Sequence, residues 1–274
     1  MYFSEEQVAL YNKQGFVLIE DAVSEEDLTR IAAEVPVIYA CDYPGRVFEK
    51  GSTTVRAVHG PHLFNETFGR LTRYESLVKP SMQILKSSVY VHQFKINAKA
   101  ALDGDLWKWH QDYQFWRDED GMPTDRVINA AIFLDDVTEF NGPLIFVPGS
   151  HREGLIEMQE QQAPDYIQQD DRSWVATVSA DLKYTVDKPR LSGLVRQYGL
   201  ISPKGPRGSI LFFHPNIVHG SAPNMSPFDR TLVVITYNSV ENRLRDVPSP
   251  RPEFMASRNA EPVIPLPSEV LWAS

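Results

Sequence analysis

The chain is almost without cysteine: Cys41 stands alone among 274 residues, so no intrachain disulfide can form and a thiolate zinc site is excluded. No run of about 18 apolar residues occurs, so no membrane-spanning helix is expected. The opening M-Y-F-S-E-E-Q-V lacks a basic stretch followed by an apolar one. No secretory leader is therefore expected, and a cytoplasmic setting is. Basic residues are in deficit, 27 Lys and Arg against 36 Asp and Glu, a net charge of −9. An acidic surface argues against nucleic acid or an anionic membrane as the main partner, while an anionic small molecule can still bind a local arginine. Repeats and low-complexity tracts are also missing. The remaining composition, 42% hydrophobic and 23% charged, is that of a globular chain, expected to form one domain over residues 1–274.

Two helix starts are written early, at Ser4-Glu5-Glu6-Gln7, a capping box closed by Gly15, and at Ser24-Glu25-Glu26-Asp27, running to about Val35. Phe16-Val17-Leu18-Ile19 reads as a buried strand between them. Residues 43–64 read as a loop-like insertion and Arg70–Leu85 as one helix, making residues 1–88 a mainly helical part. From Val89 the pattern changes to strands: Tyr90–Ile96, Trp107–Tyr113, Val127–Leu134, Leu144–Val147, Ser209–Phe213 and Thr231–Tyr237. Helices first and strands afterwards predict a β core over 89–240 with helices packed outside. Residues 155–204 read as a long excursion of the kind used as a lid. The proline-rich stretch from Pro248, within a tail over 241–274, is expected to wrap the surface.

Within W-K-W-H-Q-D-Y-Q-F-W (107–116), a strand would project His110 and Asp112 to one face and Gln111 to the other. That pair is two-thirds of a two-histidine, one-carboxylate triad, an arrangement that holds ferrous iron and leaves positions open. His219, following the strand at 209–213, supplies the third ligand. An H-x-D triplet alone is common and is often only a hydrogen-bonded pair. The addition of Arg230, at the head of the apolar run T-L-V-V-I-T-Y, makes the set specific. An inward arginine needs an anion, and a dicarboxylate chelating the metal would supply one. His59, His62, His92 and His151 have no matching partners and no metal role, and His214 reads as structural. Arg117, Asp118, Glu119 and Asp120 read mostly as a solvated turn, and Arg126 as a possible ion pair.

These residues carry a resemblance. H-Q-D followed by H-G-S-A-P-N-x-S-P-F-x-R is similar to the phytanoyl-CoA dioxygenase family of iron(II)- and 2-oxoglutarate-dependent oxygenases. Among its members the ectoine hydroxylases and the bacterial hydroxylases of free amino acids come nearest. Y-V-H-Q-F-K-I-N, W-R-D-E-D-G-M-P, F-N-G-P-L, V-P-G-S-H, Y-N-S-V-E-N and S-P-R-P-E-F carry the likeness along the chain. It implies a mainly β double-stranded β-helix, a cupin-like jelly roll with flanking helices. It implies His110, Asp112 and His219 as iron ligands and Arg230 as the partner of the distal carboxylate of 2-oxoglutarate. Gln93, Asn129 and Ser221 fall where the family places residues near the cosubstrate. Tyr113, Phe115, Trp116 and Arg117 fall where it lines the substrate pocket, and Lys95 and Arg126 are further cations. Ectoine hydroxylases read H-S-D-F-E-T-W where this chain has H-Q-D-Y-Q-F-W, so Gln114 and Phe115 turn the expectation from ectoine to a free amino acid. Halogenases of this type leave the carboxylate position empty, so Asp112 favours hydroxylation with O2. The alternatives are ectoine hydroxylation, an acyl-CoA substrate, a zinc hydrolase and a metal-binding cupin without oxidative chemistry.

Overall fold

A computed structural model describes residues 1–156, 158–161 and 173–273. The elements in chain order are α1 (Glu5–Gln14), β1 (Phe16–Ile19), α2 (Glu25–Ala40), β2 (Arg46–Phe48), β3 (Val55–His59), α3 (Glu66–Leu71), α4 (Glu75–Leu85), β4 (Val89–Lys99) and β5 (Trp107–His110). They continue as α5 (Asp112–Asp120), β6 (Val127–Phe133), β7 (Leu144–Phe146), β8 (Gln159–Glu160), β9 (Tyr184–Thr185), α6 (Lys188–Tyr198), β10 (Ile210–Phe213), β11 (His219–Ser221), β12 (Arg230–Ser239) and α7 (Ser268–Leu271).

The helix signals hold. Ser4 and Gln7 form the reciprocal capping box of α1, and Gly15 ends it in the left-handed region at φ 86°. Ser24 caps α2 through Asp27 N, although the helix runs on to Ala40 rather than stopping near Val35. Three expectations change. Residues 43–64 are not one loop but contain β2 and β3. Arg70–Leu85 is divided between α3 and α4, with Asn65 and Tyr74 at their starts. The part before residue 89 is not simply helical, since β1, β2 and β3 are strands of the main sheet.

That sheet has seven antiparallel strands in the order β1-β10-β6-β12-β4-β3-β2, and a three-stranded sheet, β5-β11-β7, accompanies it. Strand alternation sorts the large sheet's side chains. Phe94 and Ile96 of β4 and Val233 and Ile235 of β12 join Leu28 and Ile31 of α2 and Leu77 of α4 in one buried cluster. Gln93, Lys95 and Asn97 of β4, with Leu232 and Val234 of β12, face the opposite way into a cavity that also takes both histidines of the small sheet. The helices thus cover one face, and the other is free to build a site. No helix among the described residues is long and apolar enough to cross a membrane. Part of the excursion over 155–204 lies outside the described residues; the rest holds β8, β9 and α6.

Candidate active site

His110 closes β5 and His219 opens β11, and the two are direct antiparallel partners. Residues opposite one another on paired strands project to the same side, so the imidazoles meet with ring centroids 4.2 Å apart. Asp112 does not share a strand with His110, as the i, i+2 argument required. Gln111 is still extended, but Asp112 is the first residue of α5. The chain turns from strand into helix between the two ligands, and the carboxylate meets the imidazoles from the helix N-terminus, where the backbone dipole favours negative charge. Gln111 does not face solvent either. It is fully buried, donating to Asn216 O at 2.6 Å and Gly154 O at 2.9 Å and accepting from Ile156 N, which fixes the turn.

The geometry fits a metal. His110 Nδ1 lies 2.6 Å from Lys108 O and His219 Nδ1 3.0 Å from Ile217 O. A ring nitrogen can only donate to a carbonyl, so each Nε2 is left with its lone pair. Those lone pairs lie 3.6 Å and 4.0 Å from the carboxylate oxygens of Asp112, too far for hydrogen bonds. Two ligands each about 2.1 Å from one ion can be at most about 4.2 Å apart, so these separations suit a shared ion. Burial, with His110 alongside, pushes the His219 imidazole down to about 4, which keeps it neutral as a ligand must be. Burial alone would raise the Asp112 carboxyl, but Lys95 and the two imidazoles outweigh it and hold the group well below the usual carboxylate range. Among the described residues these three form the one His/Cys/Asp/Glu cluster able to hold a metal ion.

Helical periodicity explains which of the expected pocket residues reach the cavity. Positions i, i+3 and i+4 share a helix face, so Asp112, Phe115 and Trp116 line it together. Tyr113, Gln114 and Arg117 fall on other faces. Tyr113 packs near Met122, Gln114 bonds Asp118, and Arg117 is half exposed and paired with Asp118 at 2.5 Å. The structure therefore leaves Tyr113 and Arg117 outside the cavity, and of the two residues that argued against ectoine only Phe115 faces it. Ser221 is also outside: it lines a separate groove with Trp109 and Val186. Gln93 lines the cavity, donating to Met255 O at 2.8 Å. Asn129 is bonded to Asp112 and Thr236. Its amide donates to Asp112 Oδ2 at 2.8 Å and its Oδ1 accepts from Thr236 Oγ1 at 2.7 Å. Asn129→Ala removes that donor and is expected to weaken metal affinity about ten- to a hundredfold, measured by titrating Fe(II) anaerobically into the apoprotein.

Arg230 sits where expected, 2% exposed at the head of β12. One Nη donates to Gly142 O at 2.7 Å, and its buried Nε has no partner. Burial pushes the guanidinium down to about 10, still charged at neutral pH. An unpaired donor on a buried cation is the fit expected for a missing carboxylate.

Sequence reasoning named Lys95 as a cation for the substrate, and it lines the cavity, but it missed Arg251 and His59 there. Arg251 reaches in from the tail and is held by a two-pronged contact to Asp120, at 2.8 Å and 2.6 Å, with His92 Nε2 3.3 Å from the same carboxylate. Asp120, placed in a solvated turn from the sequence, is thus fully buried at the end of α5. The missed signal was Gly121, a left-handed cap at φ 78° that closes a helix rather than a turn. Arg126 does form the ion pair, with Glu241 at 2.6 Å. Burial opposes ionisation of Asp120, but Arg251 and His92 prevail and keep it below the ordinary range. Asp120→Ala is expected to cost about 3–5 kcal/mol by leaving Arg251 buried and unpaired, a loss visible in thermal melting. Because the folded group titrates lower than the unfolded one, its contribution is complete above the ordinary Asp range and fades as pH falls below it. Acid should therefore lower the wild-type melting temperature more than that of the variant.

The sequence pattern of the phytanoyl-CoA dioxygenase (PhyH) family matches residues 11–232. The chain is 38% identical over 261 residues to L-proline trans-4-hydroxylase of Streptomyces griseoviridis, covering 95% of each. It is 37% identical over 267 residues to an ectoine dioxygenase of Bordetella bronchiseptica, covering 94% of this chain and 83% of that one. EctD from S. alaskensis, solved with 2-oxoglutarate and 5-hydroxyectoine, superposes with a TM-score of 0.80 at 28% identity over 96% of this chain and 86% of that one. The facing sheets are accordingly the cupin-like jelly roll expected from the sequence. The protein is an oxidoreductase, a hydroxylase that uses iron(II), 2-oxoglutarate and O2. With this fold, this ligand cluster and these relatives, the chain belongs to the phytanoyl-CoA dioxygenase family.

Proposed function

We propose that the enzyme hydroxylates an unactivated C–H of a free L-amino acid, with His110, Asp112 and His219 holding iron(II) and Arg230 holding the distal carboxylate of 2-oxoglutarate. When bound, the iron and 2-oxoglutarate supply an oxidant made from O2, and the products are the hydroxylated substrate, succinate and CO2. The chain's own residues bind, orient and exclude water. The His110 and His219 rings are fixed by backbone carbonyls, and Asn129 fixes Asp112. Trp107, Phe115, Trp116 and Phe213 give the cavity apolar walls that keep bulk water from the reacting carbon.

The observation that carries the substrate reading is the charge of the cavity. Lys95, Arg230 and Arg251 line it, and among the described lining residues Asp112 is the one carboxylate. Arg251 is neutralised by Asp120 behind it, which leaves Lys95 and Arg230 to draw anions. Arg230 suits the cosubstrate; Lys95, near the triad, suits the carboxylate of a second small acid. A metal-binding cupin without oxidative chemistry has no use for Arg230. The relative named L-proline trans-4-hydroxylase supports a compact amino acid.

The test is anaerobic reconstitution with Fe(II) and 2-oxoglutarate, then O2, against a panel of free amino acids and ectoine, with mass spectrometry for one added oxygen matched to succinate. One hydroxylated amino acid is the expected result. Ectoine alone as substrate would replace this reading, and succinate with no hydroxylated product from any of them would send it to a larger acid.

A further inference from the structure

We infer that His59 is a specificity residue, its imidazole accepting an N–H of the substrate's amino group while Lys95 beside it draws the carboxylate. This rests on the amino-acid reading above and adds how the α-amino acid itself is recognised. His59 ends β3, is fully buried, lines the same cavity as the triad, and has no hydrogen-bond partner at either ring nitrogen. Buried polar atoms in folded proteins are nearly always paired, and two orphans on one ring in a cavity wall point to a ligand.

The surroundings select the ligand's chemistry. Trp174 lies edge-on to it with centroids 6.3 Å apart, which confines the ring without bonding it. The charged groups that act on it are Lys95 and Arg251, both cations, and with burial they keep the imidazole neutral at physiological pH. A neutral ring offers a lone pair, and neither Lys95 nor Arg251 donates to it here, since both ring nitrogens are without a partner. His59 and Lys95 are direct cross-strand partners of β3 and β4, so their Cβ atoms lie about 5 Å apart on one face. An α-amino acid carries its amine and carboxylate on one carbon, and two such neighbours can hold both. Two other acceptors of the cavity are less suited. Thr177 Oγ1 already accepts from Arg251 and donates to Trp174 O. Asn97 Oδ1 is also unpartnered, but Asn97 pairs with Leu232, diagonally next to Arg230, at the cosubstrate's end of the sheet.

The experiment is anaerobic calorimetry on the Fe(II)–2-oxoglutarate holoenzyme, titrated with the amino acid it hydroxylates and with the analogue bearing hydrogen in place of the amine. The wild type is expected to prefer the amino acid. His59→Phe keeps a ring without an acceptor and is expected to bind the amino acid about ten- to a hundredfold more weakly and to lose the preference. His59→Gln, which restores an acceptor, should recover part of it. Affinity for 2-oxoglutarate, held at Arg230, should be unchanged in both variants. A His59→Phe protein that still prefers the amine overturns the inference, and so does one that loses 2-oxoglutarate and amino acid together. A wild-type holoenzyme that binds 2-oxoglutarate and no free amino acid overturns the amino-acid reading instead, before any variant is made.

Discussion

His219→Ala should abolish substrate-coupled succinate formation. The imidazole is one of three groups whose ligand atoms lie within 4.8 Å of one another, and no fourth His, Cys, Asp or Glu among the described residues joins them. His214, nearby in sequence, does not replace it: its ring packs on His151 and Tyr11, away from the triad. Loss of an outer partner such as Asn129 costs about a hundredfold at most, and loss of a ligand itself should exceed that. Fe(II) titration and coupled turnover, on a variant whose melting shows it to be folded, make the check. Wild-type turnover in the variant would remove His219 from the ligand set.

Arg230→Gln should raise the KM for 2-oxoglutarate by about thirtyfold to several thousandfold, the range for leaving a buried charge without its partner, about 2–5 kcal/mol. The argument is one of geometry as well as charge. Arg230 is buried, anchored to Gly142 O by one Nη, and presents an unpartnered Nε beside it. Arg230→Lys keeps the charge but not the planar fork, so it should fall between the wild type and Arg230→Gln. Steady-state kinetics with 2-oxoglutarate varied at saturating amino acid measure this. Equal effects on the KM of both substrates would mean that Arg230 shapes the whole cavity rather than one end.

The site was legible where chemistry demands rare residues at set places. H-x-D, a later histidine and an arginine on an apolar strand are readable because iron and a dicarboxylate restrict what can hold them. The local geometry was less so. W-K-W-H was read correctly as a strand, but its alternation was carried two residues too far, across the point where Asp112 begins α5. The choice among Tyr113, Phe115, Trp116 and Arg117 followed from that error, because a period of two and a period of 3.6 select different faces. Arg251 and His59 escaped for another reason. Their roles depend on the partners brought beside them, Asp120 131 residues away for Arg251 and Lys95 on the adjoining strand for His59. Nothing local in S-P-R-P-E-F or R-A-V-H announces such partners.

The tail has a consequence for the order in which the enzyme is made. Arg251 joins Asp120 and Met255 O receives Gln93 Nε2, so one wall of the cavity comes from chain synthesised after His110, His219 and Arg230. Contacts spanning that much sequence form late, since loop closure must precede any gain from them. A growing polypeptide on the ribosome therefore carries His110, Asp112 and His219 while the chamber around them still stands open. A stretch that emerges after them is the one that shuts it.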